Sequence, residues 1–397
     1  MQFDVIPIQP EATRRNRRIE EGVNRVLRSY DRVRSGLGMQ GRKAPYDDDR
    51  YEFLGGPSDT LRKRHYDKSL RNLWKAEAHL PWSDFADCSA QERQLRDVAE
   101  RALTSTESSA VARMRQGDFK AMLDREYTPA QKRAVVNILS LIGHGEAYAW
   151  LVSAEVLNEV KSTGARAALT MQVLEEAKHF VVLRELLLAF DMPIPRMCGW
   201  EYLLLERTYK STGLEKLFGM NVVVEGFALS LFGLLAHLPG LEVLGLFHLD
   251  EARHTALPKN YFAEFPMTWW ESHDPRAQLR RLSLVLPAVP VLFWIEEDLA
   301  TLGIDACEFG GSLARKVLLL ADRVGFKVGL SRGQLERLLD WSFNRYCKAT
   351  RPGFVGRSFL SAETTRRPDA QAVEREVFGA GGLDAVPDLG AGPRPRA

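Results

Sequence analysis

Four glutamates in this 397-residue sequence stand where inward-facing apolar residues are expected. Glu146 lies on a helical stripe with Leu139, Ile142, Ala149, Trp150 and Leu157, and Glu225 on one with Phe218, Val222, Ala228, Leu229 and Phe232. Glu176 shares a face with Val173, His179, Phe180 and Leu183, and Glu251 shares one with Leu244, Phe247 and His254. Spacings of three, four and seven residues put side chains on one face of a helix. A carboxylate buried without a partner is costly, so each needs a proton, a counter-charge or a metal ion.

Two of the four carry a histidine three residues on, in Glu176-Ala177-Lys178-His179 and Glu251-Ala252-Arg253-His254. At that separation carboxylate and imidazole leave the same helix face and can serve one site. A lone glutamate precedes each pair, Glu146 by 30 residues and Glu225 by 26. A hairpin closed at Leu238-Pro239-Gly240 would set Glu225 and Glu251 roughly 16 and 15 Å from the turn, at equal depth. Glu146 and Glu176 match more loosely, at roughly 21 and 15 Å from theirs. Four carboxylates and two neutral imidazoles carry four negative charges, which two divalent cations cancel. Oxygen-rich ligation with a few imidazoles suits iron or manganese.

The elements that must position these side chains read as helices. The first spans 128–161, with Thr128 as N-cap and Pro129 in its first turn, and stops at Ser162-Thr163-Gly164. The others span 165–190, 214–236 and 241–257, the last stopped by Pro258. Further helices are expected at about 276–301, kinked by Pro287 and Pro290, and at 311–326 and 332–347. No β run or solenoid repeat is evident, so the expected class is all-α. Residues 1–125 read as a basic, partly helical lead-in, 126–260 as the di-metal core, 261–378 as helices packing on it, and 379–397 as a disordered tail.

With 45% apolar and 27% charged residues, the composition excludes a disordered chain, a collagen-like repeat and a disulfide mini-protein. A net charge of +2 offers no argument for a nucleic-acid partner. Residues 11–75 hold 17 Lys/Arg against 10 Asp/Glu, a basic face that is either simply solvated or docks an acidic partner. Cys88, Cys198, Cys307 and Cys347 are far apart and suit a reducing compartment. The first ten residues lack a signal-peptide layout, so the expected location is cytoplasmic. The apolar runs 283–295 and 221–249 are too short or too interrupted to be expected membrane spans. His144 and Tyr148, nearly opposite Glu146, read as structural residues; Trp74, Pro81 and Trp82 read as packing, and Glu296-Glu297 as a helix face reaching solvent.

The segments Glu175-Glu176-Ala177-Lys178-His179 and Asp250-Glu251-Ala252-Arg253-His254 resemble the (D/E)-E-x-(R/K)-H signatures of ferritin-like di-iron oxygenases and acyl-carrier desaturases. Those cores take one Glu from each of two helices and Glu-x-x-His from each of the other two. The resemblance covers about residues 128–260. It implies a ferritin-like four-helix bundle core with additional N- and C-terminal helices. It also implies two iron ions, or manganese with iron, on Glu146, Glu176, His179, Glu225, Glu251 and His254, with Glu176 and Glu251 among the bridges. Glu175 and Asp250 would hold the ligand histidines by hydrogen bonds. Phe180, Leu183, Leu229 and Phe232 would make a dry pocket.

The implied activity is O2-dependent oxygenation of an amine or C–H group on a small or carrier-bound substrate. Acyl-carrier desaturation is the second reading. Electrons would come from a separate reductase or ferredoxin, since no flavin or NAD motif is evident, and a homodimer stays open. The rival is a metal-handling protein, a ferroxidase or a Mn/Fe ligand-binding protein without organic turnover; a helical interaction protein without metal would require the four glutamates at the surface. Ribonucleotide reductase radical subunits carry a tyrosine where Leu183 stands, and multicomponent hydrocarbon monooxygenases a threonine where Leu229 stands. His248, one turn before Glu251, is similar to the third histidine ligand of the arylamine N-oxygenase group, though one residue closer. It reads either as a seventh ligand or as a packing histidine.

Overall fold

The computed structural model describes residues 6–37, 46, 119–160, 163–265, 267–361 and 363–379. Most of the basic lead-in, with Trp74, Pro81 and Trp82, and the tail from residue 380 lie outside the described residues. Among the described residues the fold is helical, with no strand. The first seven helices are α1 (Pro10–Gly36), α2 (Phe119–Glu126), α3 (Pro129–Glu159), α4 (Thr163–Ala189), α5 (Gly199–Lys210), α6 (Gly213–Leu235) and α7 (Leu244–His254). The remainder are α8 (Leu257–Tyr261), α9 (Trp269–His273), α10 (Pro275–Val285), α11 (Ala288–Trp294), α12 (Glu296–Thr301), α13 (Ala306–Arg323), α14 (Arg332–Thr350) and α15 (Pro368–Phe378).

α3 starts where Thr128-Pro129 predicts. The Thr128 hydroxyl accepts from the Gln131 amide, and the Gln131 side chain accepts from the Thr128 amide, which satisfies two orphan donors reciprocally. Only three residues separate α3 from α4, so the two pack side by side as a long hairpin. α6 and α7 form a second hairpin, whose turn is fixed by Gly240 at φ 82° and by the Tyr127 hydroxyl donating to Pro239 O at 2.7 Å. A side chain at Gly240 would meet Met122 at 2.8 Å, so α2 can lie directly over this turn. α4 also packs on α7 and α6 on α3, which closes a ring of four helices. α5 and α12 cover α3 from outside, and α13 and α15 cover α6.

α1 is a single 27-residue helix that ends at Gly36, inside the lead-in that reads as partly helical. Several elements differ from the sequence reading. α5 occupies what read as a connection. Its N-cap is the Cys198 sulfur, accepting from the Glu201 amide at 3.4 Å, so the usual Ser, Thr, Asp or Asn signal is missing. The expected 276–301 helix is three short ones: Pro287, which lacks the amide that would continue α10, parts it from α11, Pro290 sits in the first turn of α11, and a second break falls at Ile295. Pro258 opens α8 and does not merely stop α7. Trp150 is exposed, and Glu296, expected at solvent, is buried with its carboxylate on Tyr346 and Arg351.

α3 and α6 are each long and apolar enough to cross a membrane. Their apolar windows are 78% and 100% buried within the molecule, as wrapping by four outer helices requires. α15 approaches α6 so closely that a Cβ on Gly233 would collide with the Glu376 carbonyl oxygen and lie 3.0 Å from His248 Nδ1. Gly→Ala inside a helix ordinarily gains about 1 kcal/mol. Gly233→Ala is expected instead to cost about 1–3 kcal/mol through overpacking, read from urea unfolding midpoints.

Candidate metal centre

The four inner helices each contribute to one point. α3 supplies Glu146, α4 supplies Glu176 and His179, α6 supplies Glu225, and α7 supplies Glu251 and His254, all at most 2% exposed. Glu146, Glu176, His179 and Glu251 offer ligand atoms that all lie within 4.8 Å of one another. Glu176, Glu225, Glu251 and His254 form a second such group. Glu176 and Glu251 belong to both. Glu176 turns Oε1 to His254 Nδ1 at 3.0 Å and Oε2 toward His179 Nδ1 at 3.7 Å. Glu251 does the converse, with Oε1 3.0 Å from His179 Nδ1 and Oε2 3.1 Å from His254 Nδ1. Glu146 Oε2 lies 3.2 Å from His179 Nδ1.

The residue before each Glu-x-x-His acts across the site. His179 Nε2 lies 3.0 Å from Asp250 Oδ2, and His254 Nε2 lies 2.8 Å from Glu175 Oε2. A carboxylate only accepts, so each Nε2 carries hydrogen and each Nδ1 faces the carboxylates. Lys178 donates to Asp250 at 2.6 Å, and Arg253 donates to Glu175 at 2.6 Å and also to Asp250. Two acids and two bases thus close a charge-balanced belt outside the histidines.

Metal-free, the centre neutralises itself with protons. Burial first, then the charge of Glu251, pushes Glu146 well above the usual carboxylate range. Burial and then Glu176 do the same to Glu225. Burial would raise Glu176 and Glu251 as well, but the facing His254 holds both below that range. Burial opposes charge on the histidines, yet hydrogen bonds to Asp250 and Glu146 raise His179 well above the ordinary imidazole range, and the charges of Glu176 and Glu251 raise His254 likewise. Protons favoured on Glu146, Glu225 and the two histidines thus offset the charge of Glu176 and Glu251. Glu146 Oε1, Glu176 Oε2 and Glu251 Oε1 nevertheless accept no hydrogen bond. Three inward, buried, unsatisfied oxygens beside two imidazole nitrogens are the donor set a hard-to-borderline cation needs. These residues can hold a metal ion.

Other residues fall outside the cluster. Of its two readings, His248 takes a packing position: its Nδ1 lies 2.9 Å from Leu229 O, and it belongs to neither group. Three residues before Glu251 is close enough to share a helix edge, yet the ring turns to the neighbouring helix. His144 bonds Glu201 at 3.0 Å and Tyr148 bonds Glu206 at 3.0 Å, both away from the centre. Leu183, Leu229 and Phe232 are buried and Phe180 half-buried, while Phe247 stacks on the His179 ring at 4.2 Å. A separate cavity of about 130 Å³ is lined by Asn137, His144, Glu201, Glu296 and Asp298, and touches none of the six cluster residues.

Sequence reasoning missed Gln172 and Asn221. Gln172 Nε2 donates to Glu176 Oε1 at 2.9 Å and Glu225 Oε1 at 3.1 Å, and Asn221 Nδ2 donates to Gln172 Oε1 at 2.9 Å. The available signal was position: each amide lies four residues, one turn, before a cluster glutamate.

The fold and site define an all-helical protein with a buried carboxylate–histidine cluster able to hold a metal ion. Compared with protein-family models, curated proteins and solved structures, the chain finds no match in any of the three.

Loading with divalent metal would displace protons from Glu146, Glu225, His179 and His254 where they ligate it. The histidines titrate above their ordinary 6.5, so their contribution to metal-free stability is full below 6.5 and is lost as pH rises through the folded values. Raised Glu146 and Glu225 act in the same direction from 4.5 upward. With chelator present, the melting temperature should therefore fall from mildly acid to alkaline pH. Added Fe(II) or Mn(II) should stabilise most at the alkaline end. Thermal scans across pH check both, and a flat metal-free profile contradicts the proton assignment.

Proposed function

We propose that this chain is a non-haem di-iron oxidoreductase of the ferritin-like carboxylate class, which activates O2 to oxygenate a small organic substrate at an amine or C–H group. The observation that carries the reading is that Glu176 and Glu251 each belong to both groups, with one oxygen toward each histidine. Glu176 and Glu251 would then be the two carboxylates held in common by a pair of ions. Glu146 with His179 would complete one ion's ligands, and Glu225 with His254 the other's. Four carboxylates and two neutral imidazoles balance two divalent cations, and this oxygen-rich set suits iron, with manganese an alternative occupant.

The bound ferrous pair would supply electrons and open coordination positions for O2. The protein's own groups prepare the place. Asp250 and Glu175 orient the imidazoles and keep Nδ1 inward. Leu183, Leu229, Phe232 and Phe247 keep bulk water from the ions. Lys178 and Arg253 neutralise the outer acids, so that no excess negative charge reaches the metals. Electrons would arrive from a separate reductase or ferredoxin.

Anaerobic loading with Fe(II), followed by metal analysis, should give about two ions per chain. Glu176→Ala removes a bridge common to both and should abolish loading. O2 uptake by the ferrous protein should then depend on a candidate amine or acyl carrier. Uptake without any organic dependence would make the protein a ferroxidase, and no loading at all would end both readings.

A further inference from the structure

Gln172 and Asn221 are 1% exposed and lie against one half of the centre only. The two amides lock each other's orientation. Asn221 Nδ2 donates to Gln172 Oε1 at 2.9 Å and to the His254 carbonyl at 3.2 Å. Gln172 therefore aims its NH2 at Glu176 and Glu225; reversed, its NH2 would meet the Asn221 NH2 and its oxygen would face the Glu176 carboxylate. Asn221 lies in a π turn, Gly219–Val224, immediately before Glu225. Such widened turns recur at functional sites. Here the turn carries an amide that reaches both α4 and α7.

Among the described residues nothing equivalent serves the other half. One turn before Glu146 stands Ile142, and one turn before Glu251 stands Phe247, which stacks on His179. Glu146 Oε1 accepts no hydrogen bond, and Glu146 Oε2 bonds His179 Nδ1, the nitrogen that would turn to a metal. One terminal carboxylate is thus held by an amide that would stay in place when an ion arrives, and the other only by a nitrogen that the ion would take.

We propose that Gln172, aimed by Asn221, is a positioning residue that preorganises the Glu225/His254 half, so that the two metal sites are unequal and this half fills first. The inference rests on the di-metal reading above and deepens it. Neither amide contributes a ligand or a charge. Their effect is to remove conformational freedom from Glu225 and Glu176 before binding, which lowers the cost of ordering them around an ion.

Titration of metal-free protein with Co(II), followed by the visible absorption of the bound ion, tests it without any turnover. The native chain should bind two ions in separable steps. His254→Ala should lose the tighter step, whereas His179→Ala should keep it. Gln172→Leu should weaken the tighter step by about 10–100-fold, the usual effect of removing a partner of a metal ligand, and leave the weaker step in place. Asn221→Ala leaves the Gln172 amide present but free to turn, and should weaken the same step. It carries the test if Gln172→Leu fails to fold by circular dichroism. Two equal steps in the native chain, or a tighter step unmoved by these changes, overturns the clamp while leaving the metal reading intact. No cobalt bound by the native chain overturns the di-metal reading beneath it.

Discussion

Four carboxyl groups brought to one point inside a dry ring of helices set the constraint that shapes this protein. Two unit charges about 4 Å apart repel by about 4 kcal/mol even at the effective dielectric near a protein surface. Such a cluster survives only with compensating positive charge close by. Two imidazolium ions and two shared protons can supply it, as can two divalent cations, and both routes give a neutral centre. Because the routes are exclusive, protons and metal ions compete for the same six side chains.

Much of the surrounding structure follows from keeping that centre rigid and dry. The outer belt of Glu175, Asp250, Lys178 and Arg253 is itself neutral, so it holds the imidazoles without adding net charge. It is also crossed: α4 supplies the acid that orients α7's histidine, and α7 supplies the acid for α4's. Displacing either helix would misplace both imidazoles. Inside, Phe247 and Phe232 pack about His179 while amides line the opposite half. The centre is therefore pseudo-symmetric in its ligands and asymmetric in its walls. The outer helices α5, α12, α13 and α15 give the centre its depth by covering α3 and α6.

Some of this was legible in the primary sequence for a physical reason. Ionisable residues on an otherwise apolar helix face are costly, so Glu146 and Glu225 were conspicuous wherever the chain folded. The period-three spacing inside Glu-x-x-His declared a shared face, and Thr128-Pro129 declared the start of α3 before any packing was known. Trp150 and Glu296 were misjudged because a stripe or a charge run does not say which face a neighbouring helix will cover. α5 escaped notice because its cap is a cysteine sulfur, a weak signal next to Ser or Asp.

The order of residues along the chain determined that four helices would carry two lone glutamates and two glutamate–histidine pairs, since helical periodicity is a local property. Which oxygen faces which nitrogen was decided only when the helices closed into a ring. The shared position of Glu176 and Glu251, the exchange of Asp250 and Glu175 between helices, the turning of His248 to Leu229 and the convergence of Gln172 with Asn221 all join segments tens of residues apart. Local spacing cannot encode these contacts, because they depend on how helix axes cross and on how deep each side chain sits.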